Sequence, residues 1–295
     1  MKLRALAPAK VNLSLFLGPT REDGRHELVT VFQSLSLADV LELEVPGESE
    51  EDLVVCPLVS GENLATRALA ALRGRGWDGP PATVWIDKLI PIAAGMAGGS
   101  ADAAAALRLA VAVAPGRAEE VDAIAAELGA DVPSQLTPGL SLGTGAGEIV
   151  EHFEPLLEHA YVVVPSELSL ATPDVYREAD RLGLPRGIEE LEARYLELTL
   201  ALAAGGRLPE ELLVNDLERA AVSLCPSIAG VLEAVLAAGA EHAMVSGSGP
   251  TVVGIWWGED ARIRAARAAS VLGEEFPGAL VADPVTAEFA LPSLI

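Results

Sequence analysis

Hydrophobic and polar positions divide this chain into many short elements with different periods. Leu3 to Leu17 reads as a strand, with a break at Ala7-Pro8-Ala9. Leu28 to Val45 is apolar and β-branched, is punctuated at Ala38-Asp39, and suits paired strands. Asn63 to Leu72 has the spacing of a short amphipathic helix, and Ala82 to Leu89 reads as a strand. An alanine-rich stretch from Ser100 to Val113 predicts a helix, and a second helix follows from Glu119 to Leu128. Leu140 to Gly147 is a strand or turn interrupted by glycine.

Beyond residue 160, Tyr161 to Val164 reads as a buried strand. Ile188, Leu191, Tyr195 and Leu198 share one helical face, and Pro226 opens a helix that ends at Gly239. Ala243 to Val245, the turn Ser246 to Pro250, and Thr251 to Trp257 read as strand, turn and strand. A helix at Arg262 to Leu272 and a closing strand at Ala279 to Ala282 complete the pattern. Strands and helices mix without regular alternation, and no internal repeat is visible. The expectation is an α+β fold, with domains at residues 1–155 and 156–295.

Aromatic residues are only 4% against 51% apolar in all, so aliphatic and alanine packing must build the core. The net charge of −23 argues against nucleic acid or an anionic membrane as partner, because each needs a basic face. That charge also repels nucleotides at long range, so any phosphate site must rest on local donors and Mg²⁺. Only three of the 20 basic residues are lysines (Lys2, Lys10, Lys88), each kept either by chance or for a reason that arginine cannot meet. Cys56 and Cys225 have neither zinc-site spacing nor a disulfide framework, and suit a reducing cytosol. With no leader and no apolar run of about 20 residues, the expected location is the cytoplasm.

Chemistry concentrates between Pro91 and Ala104. Gly98 and Gly99 lack a Cβ, so the backbone can turn sharply and bring its N–H groups to a ligand. The helix behind them adds unpaired first-turn N–H groups and the positive end of its dipole, and Ser100 is placed as N-cap or as a hydroxyl contact. Together these make a phosphate cradle. It is not a Walker loop, which needs a lysine before Ser or Thr, and it lacks the third glycine of the dinucleotide fingerprint.

The stretch resembles the Pro-x-x-x-Gly-Leu-Gly-Ser-Ser-Ala loop of the GHMP kinases, with Met96 at its Leu and Ala97 and Gly98 at its Gly-Ser. Five further segments resemble the members of that family whose acceptor is a cytidine-diphosphate-linked methylerythritol. They are Pro8-Ala9-Lys10-Val11-Asn12-Leu13, Asp23-Gly24-Arg25-His26-Glu27-Leu28, Gly129-Ala130-Asp131-Val132-Pro133, Thr172-Pro173-Asp174-Val175-Tyr176 and Asn215-Asp216. The resemblance runs from Leu6 to about Trp257 in the right order.

It implies the two-domain GHMP kinase fold, with the active site in the cleft between domains, and transfer of phosphate from Mg-ATP to the acceptor's 2-hydroxyl. It implies Lys10 and Asp131 as the catalytic pair. By themselves these read as a strand lysine facing solvent and a turn residue after Gly129. The resemblance also implies nucleotide contacts at Pro91, Ile92, Ala93, Ala94, Gly95, Met96, Ala97, Gly98, Gly99, Ser100 and Ala101, with Asn63 and Lys88 near the adenine. It implies His26 as a reader of the cytosine and Tyr176 as cover for the other face of the base. Arg25 stands where the family has a stacking tyrosine, and a guanidinium can also stack on a base. Asn12 and Thr172 are expected contacts of the acceptor. Metal ligands are not assigned.

Other readings are a homoserine-type or mevalonate-type GHMP kinase, against which Asp23-Gly24-x-His26 speaks, and a non-catalytic nucleotide-binding regulator. Retention of both Lys10 and Asp131 speaks against the regulator. The expected form is a monomer or weak homodimer.

Overall fold

The computed structural model describes the 295 residues apart from 60, 62, 93 and 167. Two long antiparallel strands, β1 (Lys2–Thr20) and β2 (His26–Glu44), form its spine. In β1 alternation holds from Leu3 to Ala7, whose odd positions face the first core, and from Ala7 to Gly18 every residue is buried because both faces are covered. Lys10 and Asn12, both buried, share the face of Phe32 and Thr30, and the register shift between Asn12 and Ser14 then puts Leu15 on that face.

Around the spine stand β3 (Leu53–Val55), α1 (Leu64–Gly74), β4 (Thr83–Asp87), α2 (Gly98–Val113), α3 (Val121–Leu128), α4 (Val132–Leu136), β5 (Leu140–Thr144) and β6 (Ile149–Phe153). The first sheet runs β11–β1–β2–β4–β3, where β11 is the terminal strand Ser293–Leu294, and β5 joins β2 to β6. Then come β7 (His159–Val164), α5 (Thr172–Arg181), α6 (Ile188–Ala204), α7 (Glu218–Leu224), α8 (Ser227–Ala237), β8 (His242–Val245), β9 (Val252–Trp257), α9 (Ala261–Glu275) and β10 (Leu280–Ala282). The second sheet runs β10–β7–β9–β8 and is antiparallel throughout. Among the described residues no helix is long and apolar enough to cross a membrane. Both cysteines are buried and free.

Three expectations change. The chain from Leu28 to Val45 is not a strand pair but part of the single strand β2, and β1 runs through Pro8 with its register slipping before Lys10. Asp39 does not break β2, because its buried carboxylate is satisfied: it accepts from the N–H of Leu89 (2.6 Å) and Ile90 (2.7 Å) and from Lys88. Those same bonds pull residues 88–90 out of the sheet, so β4 ends at Asp87 rather than at Leu89.

Packing follows the composition. In α2, Ala101, Ala103, Ala104, Ala105, Ala106 and Ala110 are all buried, and such short side chains let the helix lie close against β1 and α1. A second core joins the sheets, with Val11 and Leu13 of β1 packing among Tyr161, Val163 and Ile255.

Candidate active site

A cleft of about 610 Å³ opens where the two sheets meet. Its lining includes Lys10, Asn12 and Thr30 from the spine, the glycine loop and start of α2, Asp131, and Thr172 and Tyr176 of α5. Gly247 and Ser248, in the turn between β8 and β9, close it from the other side.

The helix behind the glycine loop starts at Gly98, two residues earlier than the alanine run suggests. Ser100 is therefore in the first turn and is not the N-cap. Ala97 holds that place with φ 56°, a left-handed conformation that a side chain adopts at a cost of roughly 1–2 kcal/mol. The first intrahelical bond is Ala101 N to Ala97 O at 2.9 Å, which leaves the N–H groups of Gly98, Gly99 and Ser100 for a ligand.

The loop is held from both domains. Met96 O accepts from Lys10 N at 3.2 Å, and Gly95 O accepts from Ser246 Oγ at 3.3 Å. Gly95 has φ +75°, and a Cβ there would lie 2.6 Å from Ser246 O, so only glycine lets the two turns touch. Asn215 secures the partner turn by donating to Val245 O and Gly247 O, each at 2.8 Å. Ala93 lies outside the described residues.

At Gly98 a Cβ would meet Ile90 Cγ2 and Lys88 Nζ, each at 3.2 Å. Gly98→Val should therefore push Lys88 aside and lower ATP affinity at least about tenfold, a cost typical of overpacking. Calorimetric titration with ATP, with circular dichroism as a fold control, checks this. Unchanged affinity in a folded variant would place the nucleotide elsewhere.

Lys88 is not an edge-of-sheet lysine free to roam. Its ammonium sits between Asp39 and Asp102, 2.7 Å from Asp102 Oδ2. Burial pulls the Lys88 ammonium down in pKa, but the two carboxylates outweigh it and raise it above the ordinary lysine value. Burial pushes Asp102 up, with Lys88 opposing. Neither acid stood out in the sequence, although an aspartate inside an otherwise buried alanine helix was a usable signal. Asn63 lines the cleft and also caps α1, its Oδ1 accepting from Thr66 N at 2.9 Å.

The pair at the centre is Lys10 and Asp131. Lys10 is only 4% exposed, donates to Asn12 Oδ1 at 2.8 Å, and lies 5.2 Å above the Phe32 ring. Asn12 in turn donates to Thr30 Oγ1 at 2.7 Å, and Thr30 to Ser14 O at 2.7 Å. This chain orients the Asn12 amide with its oxygen towards the ammonium. Asp131 Oδ1 is 3.5 Å from Lys10 Nζ. Asp131 precedes α4 but makes no capping bond, so its carboxylate is left to the cleft. A carboxylate next to a buried ammonium can accept a proton while the cation offsets charge on the donor oxygen.

On the opposite wall, Tyr176 is half-buried, and desolvation, helped by the charge of Asp131, raises its phenol above the ordinary tyrosine value. Thr172 Oγ1 hydrogen-bonds Ser248 Oγ at 3.0 Å. The ring of His26 lies 5.5 Å from that of Tyr176 at 37°. Its Nδ1 faces Gly18 O at 2.9 Å and its Nε2 faces Asp180 Oδ1 at 3.3 Å, so both ring edges meet protein. Arg25 does not line the cleft: its guanidinium grips Asp23 at 2.8 and 3.0 Å.

The family models described as GHMP kinases N terminal domain and GHMP kinases C terminal match residues 63–139 and 198–273. The 4-diphosphocytidyl-2-C-methyl-D-erythritol kinase of Corynebacterium efficiens is 43% identical over 269 residues, covering 85% of this chain and 84% of that protein. The protein of the same name from Saccharopolyspora erythraea is 45% identical over 290 residues, covering 90% and 86%. The chain belongs to the 4-diphosphocytidyl-2-C-methyl-D-erythritol kinase family of GHMP kinases.

A crystal structure titled 4-(cytidine 5'-diphospho)-2C-methyl-D-erythritol kinase superposes with a TM-score of 0.77 at 33% identity, over 95% of this chain and 98% of that one. Homoserine kinase from Cytophaga hutchinsonii superposes at 0.71 but with 17% identity, which shows the shared GHMP kinase fold alone. For a kinase of this family, the elements missed by sequence reading are Asp39, Asp102 and Asp180. Each is an acidic residue whose partner lies 14 residues or more away in the chain.

Proposed function

We propose that the cleft transfers the terminal phosphoryl group of ATP to the 2-hydroxyl of 4-diphosphocytidyl-2-C-methyl-D-erythritol, a step in the non-mevalonate route to isoprenoid precursors. The observation that carries this reading is the Lys10–Asp131 pair, 3.5 Å apart, in the same cleft as the open N–H groups of α2. The 2-hydroxyl is tertiary and weakly nucleophilic, so its transfer depends on positioning and on charge stabilisation. Asp131 takes the hydroxyl proton as the oxygen bonds to phosphorus and the bond to the leaving ADP breaks. Lys10, fixed by Asn12, offsets negative charge on the attacking oxygen. The first turn of α2 holds the phosphates, and Tyr176, with His26 packed against it, forms the wall for the cytosine.

Mg²⁺ fits this donor set as an ion carried mainly on phosphate. Among the described residues no three His, Cys, Asp or Glu side chains converge, and Ser100, which lines the cleft at the start of α2, would supply a hydroxyl oxygen to the ion. When bound, it neutralises charge on the transferring group. Two buried free thiols support a cytoplasmic setting.

Coupled ADP release tests the assignment. Turnover is expected with the cytidyl-linked acceptor and not with methylerythritol phosphate, homoserine or mevalonate, because remote binding energy at the base positions the hydroxyl. Comparable rates with homoserine or mevalonate would sink it.

A further inference from the structure

We propose that Asp180 is a positioning residue for the acceptor site, clamping the His26 imidazole across the junction between the two sheets. The proposal rests on the functional reading above for what the site binds. On α5 the other charged side chains pair along their own helix: Asp174 with Arg177, and Glu178 with Arg181 at 2.7 Å. Asp180 instead reaches His26, the first residue of β2, with Oδ1 3.3 Å from Nε2. It lies four residues after Tyr176, so the two share one face of α5 and meet the same ring, one by its edge and one by its face.

Gly18 O can only accept, which assigns the Nδ1 proton to that 2.9 Å bond and orients the ring, and the contact with Asp180 attracts when Nε2 also carries a proton, so the clamp is an ion pair with the imidazolium. The His26 side chain is 5% exposed, against 49% for Asp180. The imidazole is therefore a fixed support for the Tyr176 wall, held by a carbonyl from its own hairpin and a carboxylate from the other domain. Losing Asp180 frees the ring to rotate away from Tyr176 and opens the base-packing wall. It touches neither the nucleotide loop nor Lys10 and Asp131.

Steady-state kinetics on Asp180→Asn and Asp180→Ala test this. The KM for the cytidyl-linked acceptor should rise roughly three- to fivefold, the effect of losing one half-exposed ion pair. The value of kcat should stay within about twofold, and the KM for ATP should not move, the signature of lost uniform binding. In a His26→Ala background, Asp180→Ala should add nothing further to the acceptor KM. An unchanged acceptor KM in an active Asp180→Asn enzyme, or an equal loss in kcat, overturns this inference alone. A wild-type enzyme that does not turn over the acceptor overturns the functional reading and this inference with it.

Discussion

Asp131→Asn is expected to lower turnover by roughly a hundredfold or more, the usual cost of losing a positioned general base. The substitution keeps the side chain's shape and removes its charge. Because Asp131 makes no capping bond to α4, its loss as an anion should leave that helix intact. In the proposed scheme its carboxylate acts on the acceptor, so ATP affinity should change far less than kcat. Single-turnover rates with saturating ATP, alongside ATP titration by calorimetry, separate the two effects. Near-normal turnover would reduce Asp131 to a residue at the start of a short helix.

The second large effect belongs to Lys10. Lys10→Ala should cost about 10²-fold or more in kcat, comparable to removing a preorganised donor from a developing oxyanion. It also leaves Asn12 Oδ1 without its partner at 2.8 Å, so Asn12 is expected to lose its fixed orientation. Lys10→Arg should recover little. The ammonium is buried to 4% exposure between Asn12, Asp131 and the Phe32 ring, and a longer planar guanidinium cannot place its charge at that point. Thermal denaturation of both variants checks that the fold survives. A fully active Lys10→Arg enzyme would show that only a nearby positive charge is needed.

His26 and Arg25 illustrate where sequence reading stopped. Residue type alone made both available to a base, one by its ring edges and one by stacking. In the folded chain Asp23, two residues away, holds the Arg25 guanidinium, and Gly18 and Asp180 occupy the His26 edges. Lys88 is similar: its carboxylate partners Asp39 and Asp102 lie 49 and 14 residues away, and nothing local announces them.

Read alone, the chain was enough for its α+β class and for a glycine loop leading into an alanine helix, while Lys10 and Asp131 drew notice only through the motifs that resemble the GHMP kinases. These depend on local period, on glycine's freedom and on short motifs, all carried by neighbouring residues. It also placed the helix after the cradle, though not its first residue, because Ala97 accepts a left-handed backbone that its side chain disfavours. Only the tertiary structure decided that β2 is one strand, that Gly95 must be glycine, and which charges are already spent on each other. Those outcomes come from contacts between residues far apart in sequence, such as Gly95 with Ser246 and His26 with Asp180, where burial makes each unpaired group costly.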